Sequence, residues 1–241
     1  MSERTMTWEI DESLRRQLLN LLLSHPHRRK MTYEEFLDWV DEDTLAEWVA
    51  SPGEKAGEVV MYSPASKRHQ RIGDFLTSVI GAFVEQRDLG IVLSAPFQMK
   101  LEQSGREPDL LFVTKAHLDC LKETYLDGPA DLVVEIVSPE SAGRDRGEKF
   151  YEYARAGAPE YWLIDPHRTW VEFYHLQEGR YHVAFSGNEG DYHSPVLPDF
   201  WLRVEWLWQD PLPHPVRALG EIAGIESDLL ERFLQALAGR K

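Results

Sequence analysis

The sequence predicts an α/β fold: a mixed central sheet flanked by helices, with an antiparallel C-terminal extension and helical segments at both termini. Three observations carry this expectation. Residues 132–137 form a run that is apolar on both faces, with Glu135 its one charged residue, as a strand covered on both sides should be. Ile72, Phe75, Leu76, Val79, Ile80, Phe83 and Val84 recur at spacings of three and four, the stripe of a helix that covers such a sheet. Beyond Trp162, aromatic and polar residues alternate around Gly179, Gly187 and Gly190, the period of antiparallel strands.

In chain order, Leu14, Leu18, Leu21 and Leu22 predict an amphipathic helix over 11–24, ended by His25-Pro26. Thr32 and Glu35 form a capping-box pair, so a short second helix should run to about Val40. Two apolar runs at 48–49 and 59–61, separated by Ser51-Pro52-Gly53 and Gly57, predict a hairpin. The long helix follows Pro64 and is closed by Gly90. Strands are expected at 91–94, 96–101, 109–113, 132–137 and 161–164, with one helix over 144–156 stopped by Gly157 and Pro159. Pro211, Pro213 and Pro215 mark a linker, and Leu229, Leu230, Phe233, Leu234 and Leu237 predict a last helix. The expected organisation is an N-terminal helical arm at 1–30, a main domain at 31–210, and a C-terminal linker and helix at 211–241.

Composition narrows the classes. The 241 residues carry 43% hydrophobic side chains, enough for one sizeable core. A single cysteine, Cys120, permits no internal disulfide and reads as a structural thiol, and the short apolar patch at 18–23 is too brief for a signal or a membrane span. A cytoplasmic protein with no membrane association is expected. Net charge of −15 opposes a polyanion over most of the surface, so any nucleic-acid face must be local. The candidates are His27-Arg28-Arg29-Lys30, Lys67-Arg68-His69 with Arg71, and Arg144 with Arg146 and Lys149. The chain has no phosphate-cradling Gly-x-x-x-x-Gly-Lys, no Cys or His cluster with zinc spacing and no Gly-x-Ser-x-Gly elbow.

The informative residue is Glu135, an acid inside the most apolar strand. An isolated ionised carboxylate there is expensive, so a cation partner or a metal must compensate it, or the side chain must emerge at the sheet end into a cleft. Asp109 follows Pro108 at the entrance of the 109–113 strand. Paired with Glu135 it suits Mg²⁺, which is commonly held by one or two carboxylates plus water and phosphate oxygens. Lys149 lies on the following helix with Tyr153 on its face at i+4. A lysine beside such carboxylates can position a water or stabilise negative charge growing on a phosphoryl centre.

Pro108-Asp109, Glu135 within Val134-Glu135-Ile136-Val137-Ser138-Pro139, Arg144-Asp145-Arg146 with Lys149, and Glu160-Tyr161-Trp162-Leu163-Ile164-Asp165-Pro166 occur in this order. The stretch from about Thr32 to Leu207 thereby resembles the Uma-type family of restriction-endonuclease-like proteins, a branch of the PD-(D/E)XK nuclease superfamily. The resemblance implies a restriction-endonuclease-like sheet, Mg²⁺ (or Mn²⁺) held by Asp109 and Glu135, and hydrolysis of DNA phosphodiester bonds. The superfamily signature would place lysine two residues after the glutamate, where Val137 stands; the resemblance points to Lys149 instead. It also implies a catalytic role for Glu47, and it matches His69 to a histidine at the start of the long helix. His69 reads equally as a phosphate contact or water orienter and as a hydrogen-bonded cap. DNA and a second copy of the chain are the expected partners. Two other readings stay open: a catalytically silent module on the same fold, and a metal-dependent hydrolase of a small phosphorylated substrate.

Overall fold

The computed structural model describes residues 30–40, 46–61, 65–138 and 141–239; the helix expected at 11–24 lies outside them. The first elements form as their local sequence dictates. Thr32 caps α1 (Tyr33–Trp39), its hydroxyl accepting from the Glu35 amide while the Glu35 carboxylate accepts from the Thr32 amide. The hairpin of β2 (Ala46–Val49) and β3 (Ala56–Met61) pairs antiparallel as expected. With β1 (Met31–Thr32), β5 (Gln98–Lys100), β6 (Ser104–Arg106) and β8 (Tyr125–Asp127) it forms a six-stranded sheet in the order β1-β3-β2-β6-β5-β8.

A second six-stranded sheet holds the main core, in the order β12-β11-β10-β9-β7-β4. Its strands are β4 (Gly90–Ser94), β7 (Leu110–Thr114), β9 (Leu132–Ile136), β10 (Glu160–Asp165), β11 (Trp170–Gln177) and β12 (Arg180–Gly187). β9 and β10 run parallel and the other neighbours antiparallel, so the sheet is mixed. Every residue of β9 is buried, because α2 (Lys67–Gln86) covers one face and α4 (Glu148–Ala156) the other. Ile72, Leu76, Val79 and Ile80 pack with Leu132, Val134 and Ile136 on the first face. Val133, Val137, Tyr153 and Tyr161 pack on the second. Strand alternation therefore turns Glu135 toward α4. A short pair, β13 (Asp191–His193) with β14 (Trp201–Arg203), completes the antiparallel extension.

Several boundaries differ from the sequence expectation. The long helix ends at Gln86, and Gly90, with φ of 155°, opens β4 instead of closing the helix. The helix expected over 144–156 is two: α3 (Ala142–Asp145) and α4, broken at Gly147, whose φ of −116° and ψ of −96° leave the helical region. Gly157 does stop α4, in the left-handed conformation. The linker expected at 211–215 is shorter than its prolines suggest. Pro215 begins α5 (Pro215–Ile222), where a missing amide costs nothing, and Leu212, Ala218 and Ile222 join the main core. The last helix, α6 (Ser227–Leu237), is as expected, and its Leu230 packs over Gly220. Cys120 is half-buried against the second core face.

Candidate active site

The site forms where the chain crosses from one sheet to the other. Trp48 pairs with Gly105 in the first sheet, so one residue further along the register sets Glu47 opposite Arg106. In the second sheet Leu110 pairs with Val134, and the same extension sets Asp109 opposite Glu135. Residues 106–109 are thus a strap whose two ends carry partners of acids in two different sheets. Pro108 fixes its exit. Asp109 then replaces a ladder partner, its Oδ2 accepting from the Ile136 amide at 2.6 Å.

Lys149, on the inner face of α4, is the hub. Its ammonium lies 2.9 and 3.0 Å from the two Glu135 oxygens, 3.0 Å from Glu47 Oε1 and 3.6 Å from Asp145 Oδ1. One turn on, the Tyr153 phenol donates to Glu135 Oε1 at 2.7 Å. The cost of burying Glu135 is therefore met by a cation of the chain itself, the first of the alternatives its position allowed. Burial still pushes the Glu135 carboxyl up; Lys149 opposes the shift and Asp145, Asp109 and Glu47 reinforce it.

Glu47 is fully buried and fixed on both oxygens. Arg106 Nη1 lies 2.9 Å from Oε2, and the Glu107 amide donates to Oε1 at 3.1 Å. Arg106, equally buried, also donates through Nε to Glu152 at 2.8 Å. Neither Arg106 nor Asp145 was singled out as a site residue from the sequence. Asp145 carried a signal, an acid four residues before a lysine; the partner of Arg106 lies 59 positions away and leaves none. Burial raises Glu107 to about 7, against the hydrogen bond from Gln98.

His69 stands in the first turn of α2, whose Ser66 cap accepts from the His69 amide. Its Nε2 is 3.3 Å from Asp109 Oδ1. Burial lowers its pKa, but the hydrogen bond and charge of Asp109 outweigh burial and leave it raised. Both readings of His69 meet here, since it is a bonded residue and lies on a candidate metal ligand.

Of the six residues singled out from the sequence, Glu47, Glu135, Lys149 and Tyr153 are joined side chain to side chain, while His69 contacts Asp109, which is bonded to the Ile136 amide next to Glu135. The basic clusters are dispersed. Arg68 donates to the carbonyls of Leu207 and Gln209, Arg146 pairs with Asp165 and Glu172, and Lys30 pairs with Glu54. Lys67 and Arg71 remain exposed at the start of α2, beside His69; residues 27–29 lie outside the described residues.

The donor set suits a hard divalent cation. Glu47, Asp109, Glu135 and Asp145 offer oxygens only, and both carboxylate oxygens of buried Asp145 make no hydrogen bond. Among the described residues no three His, Cys, Asp or Glu side chains stand ready-spaced as a complete cage. That accords with a cation carried by one or two carboxylates and completed by water.

Comparisons with known proteins bear on the family and the fold. A family model, Uma2, described as "putative restriction endonuclease", matches residues 33–205. Among solved structures, a protein described as a "putative nuclease belonging to DUF820" from Anabaena variabilis ATCC 29413 shares the fold, with a TM-score of 0.62 and 18% identity over 74% of this chain and 97% of that one. No curated protein matches the chain.

Proposed function

The chain belongs to the Uma2 family, and on that premise we propose that it is a Mg²⁺-dependent endonuclease that hydrolyses DNA phosphodiester bonds. The observation that supports this most is the bond of Asp109 to the Ile136 amide, next to Glu135, with Lys149 bonded to Glu135 and Glu47. Asp109 and Glu135 would hold the metal. Bound there, Mg²⁺ or Mn²⁺ would act as a Lewis acid on the phosphoryl oxygen and make a bound water more acidic.

The chain's own groups have separate tasks. Hydrolysis adds a water oxygen to phosphorus and breaks a P–O bond, so negative charge grows on the phosphoryl oxygens. Lys149 supplies a positive charge beside the metal and can orient the water. Tyr153 and Lys149 together hold Glu135 in one rotamer. Arg106 and the Glu107 amide do the same for Glu47, which assists through metal or water. His69 donates to Asp109 from the first turn of α2, a helix end that favours a phosphate. Lys67 and Arg71 provide the local cationic rim that an otherwise acidic protein needs for DNA.

Among the described residues no helix is long and apolar enough to cross a membrane. Residence in the cytoplasm and a homodimer belong to the same proposal. The half-exposed stripe of Leu229, Phe233 and Leu237 on α6, continued by Ile225, supports self-association.

The test is cleavage of plasmid DNA by the purified protein with Mg²⁺ or Mn²⁺. Nicking or linearisation that stops with a chelator and in Asp109→Ala and Glu135→Ala is expected. Cleavage undiminished in both variants would sink the proposal. Inactivity on DNA with turnover of a simple phosphomonoester would move the site to the small-substrate class.

A further inference from the structure

The side chain least explained by the network is Asp145. It ends α3, is 1% exposed, and neither of its oxygens makes a hydrogen bond of normal geometry, the Ser141 hydroxyl acting on it only outside that geometry. A buried carboxylate so weakly bonded is costly, and its one charged contact in the network, Lys149 at 3.6 Å, is longer than those Lys149 makes to Glu135 and Glu47. A helix-stabilising i,i+4 pair does not account for this, because such pairs act at the surface and contribute only tenths of a kcal/mol. Three carboxylates from three elements, β2, β9 and α3, thus lie around a single ammonium. An ammonium and a hydrated divalent cation are alternative occupants of such a set, and the divalent one matches more of its charge.

We propose that Asp145 is a third cation-binding carboxylate of this site, and that the Lys149 ammonium holds the place from which a divalent cation displaces it. The inference rests on the Mg²⁺-centre reading and extends it to a residue that the two-carboxylate scheme leaves out. Lys149 and the metal then compete for Glu135, Glu47 and Asp145. Removing the acid weakens metal binding and removing the lysine strengthens it, an opposition that a purely structural role for Asp145 does not produce.

The experiment is titration of the full-length protein with Mn²⁺ alone, by calorimetry, with melting temperatures recorded for each metal-free variant. Asp145→Asn is expected to weaken Mn²⁺ binding by about tenfold or more without lowering the metal-free melting temperature. Lys149→Met is expected to bind Mn²⁺ more tightly than the wild type. Unchanged affinity in Asp145→Asn, or weaker affinity in Lys149→Met, overturns the proposal. Should Asp145→Asn fail to fold, Asp145→Ser repeats that arm, and Lys149→Met, which leaves Asp145 in place, decides independently. Binding that follows this pattern without DNA cleavage would sink the nuclease and keep Asp145. Metal-dependent cleavage with Mn²⁺ affinity indifferent to Asp145 would do the reverse, and a wild type that binds no Mn²⁺ removes both.

Discussion

Glu47 and Arg106 face each other across β2 and β6 at 2.9 Å, both shut away from solvent. A buried pair of this kind contributes little net stability, but breaking it leaves a charge with nowhere to go. Arg106→Gln should therefore destabilise the protein by about 3–5 kcal/mol, read from denaturant unfolding. Arg106→Lys keeps the charge and loses the fork that spans Glu47 and Glu152, so it should fold and show a lowered kcat with a nearly unchanged KM. Full activity in Arg106→Lys would show that Glu47 needs no such positioning.

A second buried acid, Glu160, gives a pH signature of its own, apart from the strap at 106–109. It accepts from Trp162 Nε1 at 2.5 Å, from the Tyr192 hydroxyl at 2.6 Å and from the Ser194 hydroxyl at 2.6 Å; His175 Nε2 lies 2.6 Å from the same Tyr192 hydroxyl. Burial raises its pKa above 4.5 despite these bonds, which lower it. The folded state then binds the proton more readily than the unfolded chain. The resulting stability is complete below the unfolded value and is lost as pH rises through the folded one. Glu160→Gln, which cannot ionise, should gain in melting temperature relative to wild type as pH is raised from about 4.5 to 8. A difference that stays constant over that range would contradict the assignment.

Exposed and internally bonded cations should behave differently in DNA binding. Lys67→Glu and Arg71→Glu should weaken binding uniformly across sequences and reduce the slope of log affinity against log salt by about one per lost phosphate contact. Arg68→Ala should leave that slope alone and lower thermal stability, because its guanidinium is bonded to the carbonyls of Leu207 and Gln209. An unchanged slope in both Lys67→Glu and Arg71→Glu would place the DNA face elsewhere.

The stripe on α6 makes a separate forecast. Leu229→Ser with Phe233→Ser removes exposed apolar surface while leaving Leu230 on Gly220. Sedimentation should show a dimer in the wild type and a monomer in the double variant, at equal melting temperature of the monomeric unit. A wild type that is monomeric at every concentration tested would dispose of the interface.

The contrast between what was legible and what was not has physical causes. β9 could be read because burial on both faces writes itself as contiguous branched residues, and Glu135 stood out against that background. α2 could be read because its covering face repeats with the helical period. β6, by contrast, is three residues, Ser104-Gly105-Arg106, all buried, and nothing in their types suggests it. Their burial is set by Glu47 and by the packing of Tyr33 against Gly105, which are tertiary facts. The break at Gly147 was hidden because a glycine inside an otherwise helical pattern is often tolerated. Glu47, Asp109, Glu135 and Lys149 each stood out by type and position; that one ammonium would lie between Glu47, Glu135 and Asp145 is a tertiary fact.

The four-residue stretch from Arg106 to Asp109 ties the two halves of the site to a common phase. Strand side chains change face with every residue, so adding or deleting a single residue there would preserve one half only by turning the other inside out. Either Arg106 would leave Glu47 or Asp109 would leave the Ile136 amide. Variation in length is therefore tolerable on the turns that flank the sheets and ruinous here, and this short passage behaves as the ruler against which both sheets are set.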